Sequence, residues 1–138
     1  MKTESKGFLI DTNLLVYVVD KSDQLKQKLI ENWVDSLGKN VFISTQSLRE
    51  FAHICLRKKL LEPESIIEYI ETFSARFIVF EDYFTDTKTA IELCRDYPNL
   101  FWDANIVAVM LRNGIDCIYT ENTKDFENLG VKAINPLK

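Results

Sequence analysis

Short runs of uninterrupted apolar residues alternate along the chain with longer stretches in which apolar residues return every three or four positions. The short runs are Phe8-Leu9-Ile10, Val41-Phe42-Ile43, Phe77-Ile78-Val79-Phe80, Cys117-Ile118-Tyr119 and a last one from Val131 to Ile134. Such runs are how strands buried on both faces of a parallel sheet read. Between them the period is helical. Thr12 and Asn13 start a helix through Leu14 to Tyr17, and Asp23 to Leu37 places Leu25, Leu29, Ile30, Trp33, Val34 and Leu37 on one stripe, ended by Gly38. Ser44 and Thr45 offer caps for a helix running to about Leu61, with Leu48, Phe51, Ala52 and Cys55 inward. Pro63 opens another helix in its tolerated first turn, with Ile66, Ile67, Ile70 and Phe73 at helical spacing. Tyr83 to about Arg95 is helical again. Ala104 to Leu111, apolar nearly all round except at Asn105, reads as a helix buried against the sheet and stopped by Gly114, and Thr123 to Leu129 as a short last helix. Alternating strands and helices predict a three-layer α/β/α domain with a mostly parallel sheet of about five strands.

Composition changes this picture little. At 138 residues and 16.1 kDa, with 46% hydrophobic and 28% charged residues, the chain is expected to be a single domain, residues 1–138, with an ordinary core. The polar start Met1-Lys2-Thr3-Glu4-Ser5-Lys6 and the acid at position 11 leave no continuous apolar centre for a signal peptide. No stretch approaches the roughly 18 apolar residues needed to span a bilayer, so a cytoplasmic protein without membrane contact is expected. Cys55, Cys94 and Cys117 are far apart and set among apolar neighbours, which favours buried free thiols over a zinc site. His53 is the only histidine. Multi-histidine metal sites are thereby excluded, and neither a nucleophile elbow nor a phosphate-binding Gly-rich loop with its lysine is present. The formal charge of −4 does not advertise a nucleic-acid binder. A pocket that works through divalent cations nevertheless lowers the sequence count without repelling phosphate once occupied. The basic run Arg57-Lys58-Lys59 reads as a solvated helix end that could also meet phosphate.

The candidate chemistry lies in four acids. Asp11 closes the first strand, at the sheet edge where open α/β folds hold ligands, although an Asp there also caps a helix. Glu50 lies in the first turns of the helix after the second strand, on a face with Gln46, His53 and Arg57 that would equally suit solvent. Asp103 opens the buried helix, as a ligand or as its N-cap. Asp125 follows the fourth strand, where it and Glu121 could also be acids favoured near a helix N-terminus. Hard cations such as Mg²⁺ and Mn²⁺ want oxygen ligands of this kind. Without a cation, two such charges about 5 Å apart repel by about 3 kcal/mol at an effective dielectric near 20.

The chain resembles the PIN-domain family of metal-dependent nucleases, and among them the small VapC-like toxins. The resemblance rests on Phe8-Leu9-Ile10-Asp11-Thr12-Asn13, Ser47-Leu48-Arg49-Glu50-Phe51, Phe101-Trp102-Asp103-Ala104-Asn105-Ile106 and Tyr119-Thr120-Glu121-Asn122-Thr123-Lys124-Asp125-Phe126, followed by Asn135-Pro136, in that order and spacing. It implies that Asp11, Glu50 and Asp103 bind Mg²⁺ or Mn²⁺, that Asn13 supports the first acid through a hydrogen bond, and that Thr120 lines the same pocket. Many relatives carry Asp two residues after the Thr. Here that position is Asn122, so Asp125 is the expected fourth acid and Glu121 its substitute. The implied activity is hydrolysis of RNA phosphodiesters by cation-activated water. A homodimer and an antitoxin protein are implied as partners, the apolar residues from Glu64 to Phe73 being candidates for such contacts as well as for the core. The alternative is a PIN-like module of weak catalysis that binds RNA or protein.

Overall fold

The computed structural model describes residues 7–138, and the polar start read from Met1 to Lys6 lies outside them. Five strands, β1 (Phe8–Ile10), β2 (Val41–Ser44), β3 (Ile78–Phe80), β4 (Cys117–Tyr119) and β5 (Lys132–Ile134), form one sheet in the order β3-β2-β1-β4-β5. All four pairings are parallel. The expected mostly parallel sheet is thus entirely so, and every strand ends at the same rim.

The helices are α1 (Thr12–Tyr17), α2 (Gln24–Asp35), α3 (Thr45–Arg57), α4 (Pro63–Arg76), α5 (Phe84–Leu93), α6 (Phe101–Arg112) and α7 (Thr123–Asn128), with one 3₁₀ turn at Pro98–Leu100. Alternation along each strand sorts the core into two layers. Leu9 and Ile118 face a cluster with Ala90 of α5, Ala104, Val107 and Met110 of α6, and Phe126 of α7. Ile10, Val41 and Ile43 face the other, with Leu14 and Leu15 of α1, Ile30 of α2, Phe51 of α3 and Phe73 of α4. The helix expected to be buried from Ala104 to Leu111 is so from Ala104 to Met110, while Leu111 is exposed. Arg112 at its end donates to both carboxylate oxygens of Asp86, at 2.8 and 3.0 Å, and so fastens α6 to α5.

Local signals behave as their chemistry requires. Asp23 caps α2 by accepting from the Lys26 N–H, and Ser44 caps α3 by accepting from the Ser47 N–H. Two expectations need correction. The helix expected to reach about Leu61 ends at Arg57, because Lys59 adopts a left-handed conformation (φ 54°) and the Leu60 N–H turns back to the Cys55 carbonyl at 3.0 Å. Asp103 is not the N-cap of α6, which begins two residues earlier, at Phe101, after the 3₁₀ turn. Gly7, entering β1 at φ 89°, lies so close to the Asn40 carbonyl that a Cβ would stand 2.3 Å from its oxygen. Cys55 and Cys94 are buried free thiols as expected, while Cys117 is half-buried. Among the described residues no helix is long and apolar enough to cross a membrane. On α4, Ile66 and Phe73 belong to the core whereas Ile67 is exposed.

Candidate metal and nucleic-acid site

β1 is the central strand. Its chain connection leads to β2 on one side while β4 pairs on the other, so the gap between the ends of β1 and β4 is the switch point at which open α/β sheets form ligand crevices. Asp11 sits there. Its Oδ1 accepts the Thr12 N–H at 2.8 Å, capping α1, and its Oδ2 accepts the Thr120 hydroxyl from the end of β4 at 2.7 Å. The capping and site readings of Asp11 therefore describe one side chain with two oxygens, each fixed by a different element. Thr120 in turn accepts the Asn122 N–H at 3.0 Å, which folds the loop into α7.

Glu50 and Asp103 approach from opposite layers, on α3 and α6. The Thr12 hydroxyl donates to Glu50 Oε1 at 3.0 Å, so Thr12 ties both Asp11 and Glu50 into one network. Asp103 meets the field of all the others. Its carboxyl is pushed up to about 7, first by burial and then by the charges of Asp11, Asp125 and Glu50. Burial likewise raises Asp11 to about 6, against the lowering effect of its Thr120 and Thr12 hydrogen bonds and with a further raising contribution from Glu50. Glu50 is also raised by burial, opposed by Thr12 and Gln46. The four acids expected to converge thus interact electrostatically at one end of the sheet. No ion pair among the described residues includes any of the four.

The supporting residues divide. Thr120, expected to line the pocket, donates its hydroxyl to Asp11. Asn13 does not show the implied hydrogen bond: its buried Oδ1 has no partner. Glu121 is turned to a different task, accepting from Tyr17 Oη at 2.6 Å and Lys26 Nζ at 3.0 Å, and so locks α2 and α1 to the loop after β4. Its charge is already compensated, whereas Asp125, in the first turn of α7, is one of the charges that raise Asp103. Asn122 is exposed and contributes its backbone. Two residues escaped the sequence reading. Thr12 was taken only as a helix starter, and Gln46, taken as part of a solvated face, is buried and donates from Nε2 to the Trp102 carbonyl at 2.9 Å, joining α3 to α6 beside Asp103.

One buried and two half-buried carboxylates with raised pKa, no compensating side-chain cation and an unsatisfied amide oxygen nearby in the chain form an all-oxygen donor set suited to a hard divalent cation. As placed, no three His, Cys, Asp or Glu side chains among the described residues close into a metal-holding group. Mg²⁺ asks less than that, since it usually keeps several waters and takes one or two carboxylates.

Fold and acids together define a doubly wound α/β protein with an oxygen-donor crevice at its switch point. The chain belongs to the PIN domain family, whose model matches residues 8–132. Solved structures share the fold at low identity. VapC20 of Mycobacterium tuberculosis, a sarcin-ricin loop cleaving toxin, is 19% identical with a TM-score of 0.74 over 91% of this chain and 96% of its own. VapBC-1 from nontypeable Haemophilus influenzae gives 18% and 0.69 over 95% and 98%. VapBC2 from Rickettsia felis, bound to a DNA fragment from its promoter, gives 17% and 0.63 over 93% and 96%. No curated protein matches the chain by sequence.

Proposed function

We propose that this PIN domain is an endoribonuclease that uses Mg²⁺ or Mn²⁺, and that it is the toxin of a toxin-antitoxin pair. The observation that carries the reading is the convergence on Asp103: three further carboxylates raise its pKa, and no protein cation offsets them. Asp11 and Asp103 would hold the ion, with Glu50 and Asp125 binding it or orienting water. When bound, such an ion lowers the pKa of water and stabilises charge developing on a phosphate. The chain's own part is positioning. Thr120 and the Thr12 N–H fix the two oxygens of Asp11, while the Thr12 hydroxyl holds Glu50 beside it, where a carboxylate of raised pKa can take a proton from attacking water.

An antitoxin as partner is supported by the toxin-antitoxin complex from Klebsiella pneumoniae that shares the fold; a homodimer, the cytoplasm and a single domain are further parts of the same proposal. Cleavage of RNA with Mg²⁺ or Mn²⁺ by the wild type, and its loss in both Asp11→Asn and Asp103→Asn, is the expected result; undiminished cutting by both variants rejects it. The diversion of Glu121 to Lys26, together with Asn122 at the position where many relatives carry Asp, favours one rival, a PIN module that binds RNA or protein with weak turnover. Calorimetric titration with Mn²⁺ separates them: the nuclease requires the ion and the module does not.

A further inference from the structure

Beside the acids lies a cleft of about 740 Å³ between α3 and α6, within the size range of small-ligand sites. Glu50 lines it and so belongs to both the cleft and the carboxylate cluster. The rest of its wall is of another character, with Phe101, Trp102 and Ile54 giving an apolar surface and His53 and Arg49 polar groups. Trp102 is the informative residue. It directly precedes Asp103 on α6, and 66% of its surface is exposed, so its ring is open to a ligand beside the acids. It is also held in place: its carbonyl accepts from Gln46, and its ring meets that of Phe101 edge-on at 5.2 Å and 73°.

Resting on the nuclease reading, we propose that this cleft is a nucleobase subsite, in which Trp102 stacks on an unpaired base adjoining the phosphate held at the acids. A base is joined to its phosphate through one sugar, so the base next to a phosphate at Asp11 and Asp103 must come down within one nucleotide of them. Glu50 and Trp102 mark that neighbourhood. A flat aromatic partner with polar edges suits an apolar wall interrupted by His53 and Arg49, and single-stranded RNA is commonly gripped by stacking on exposed aromatics. Arg49 donates two hydrogen bonds to Asp82, at 2.9 and 3.1 Å, and both residues line the cleft, so the guanidinium is fixed in its wall. Trp102 would therefore fix where the strand lies, as a positioning and selectivity residue, without a part in the bond-breaking step.

The chain contains two tryptophans, and Trp33 is half-buried against Phe8 and Tyr119, so Trp33→Phe leaves Trp102 as the only indole emitter. Fluorescence of that variant is titrated in Ca²⁺ or chelator with a short oligouridylate, an oligoadenylate, and an abasic ribose-phosphate polymer of equal length. Saturable quenching by either oligonucleotide and none by the abasic polymer is expected. In parallel, anisotropy of a labelled oligonucleotide should show binding weakened roughly tenfold by Trp102→Ala and largely kept by Trp102→Phe. Equal quenching by the abasic polymer, or unchanged binding by Trp102→Ala, overturns the subsite while leaving acid-dependent cleavage intact. Emission that responds to protein dilution and not to RNA places a second copy over the cleft and overturns it as well. Absence of any RNA binding or cleavage removes both the subsite and the nuclease reading.

Discussion

At the scale of single residues the site is a stability debt. Asp11, shifted from 3.8 to about 6, costs about 3 kcal/mol when ionised in the cation-free fold. A carboxyl raised above its unfolded value binds more protons in the native state, so stability is highest below pH 4 to 5 and declines as pH rises through 6 and 7, the range set by Asp11 and Asp103. Asp103→Asn is therefore expected to raise the thermal midpoint in chelator at pH 8 by a few degrees, roughly 1 to 2 kcal/mol, and to change little at pH 4. Melting curves of both proteins at the two pH values check this, and a midpoint lowered at pH 8 contradicts it. The sequence showed each acid and its place in the chain, because strand ends and helix starts are local. It did not show that Thr12 bridges Asp11 to Glu50, nor that Glu121 is spent on Tyr17 and Lys26, since those contacts join positions 38 and 104 residues apart.

At the scale of elements the apolar rhythm was a good guide to existence and a poorer one to ends. α3 stops at Arg57 although Leu60 and Leu61 continue the apolar run, because a reversal at Lys59 breaks the helix. No glycine announces that reversal. A lysine at φ 54° carries strain that glycine would not, so Lys59→Gly should stabilise the protein by about 0.5 to 1 kcal/mol with α3 unchanged, measured by urea denaturation. The early start of α6 has a similar origin. Pro98 sets a 3₁₀ turn that runs directly into Phe101, which puts Asp103 in the third helical position, its carboxylate within the first turn. There the helix dipole favours the anion that burial disfavours.

At the scale of the whole molecule, charge and site conflict only while the cation is left out. With 21 acidic against 17 basic residues and four of the acids gathered at one crevice, the protein should hold single-stranded RNA weakly in chelator. Millimolar Mg²⁺ is expected to strengthen the wild type's binding of a cleavage-resistant oligonucleotide analogue several-fold, and to do so much less for Asp103→Asn, which lacks one of the carboxylates that would hold the ion, as read by anisotropy. The opposite trend, weakening as from simple salt competition, would assign the contact to surface lysines and arginines instead.

A sheet whose strands all point one way gives the molecule a working mouth and an idle back. The turns feeding β2 and β4, at Lys39 and at Gly114 to Asp116, lie on the far side from Asp11, with Gly114 itself, at φ 76°, best kept as glycine. A tether, dye or fused peptide grafted into those turns leaves the mouth clear, so the protein can be pinned to a surface by its back while RNA, metal and any inhibitor arrive unhindered from the front.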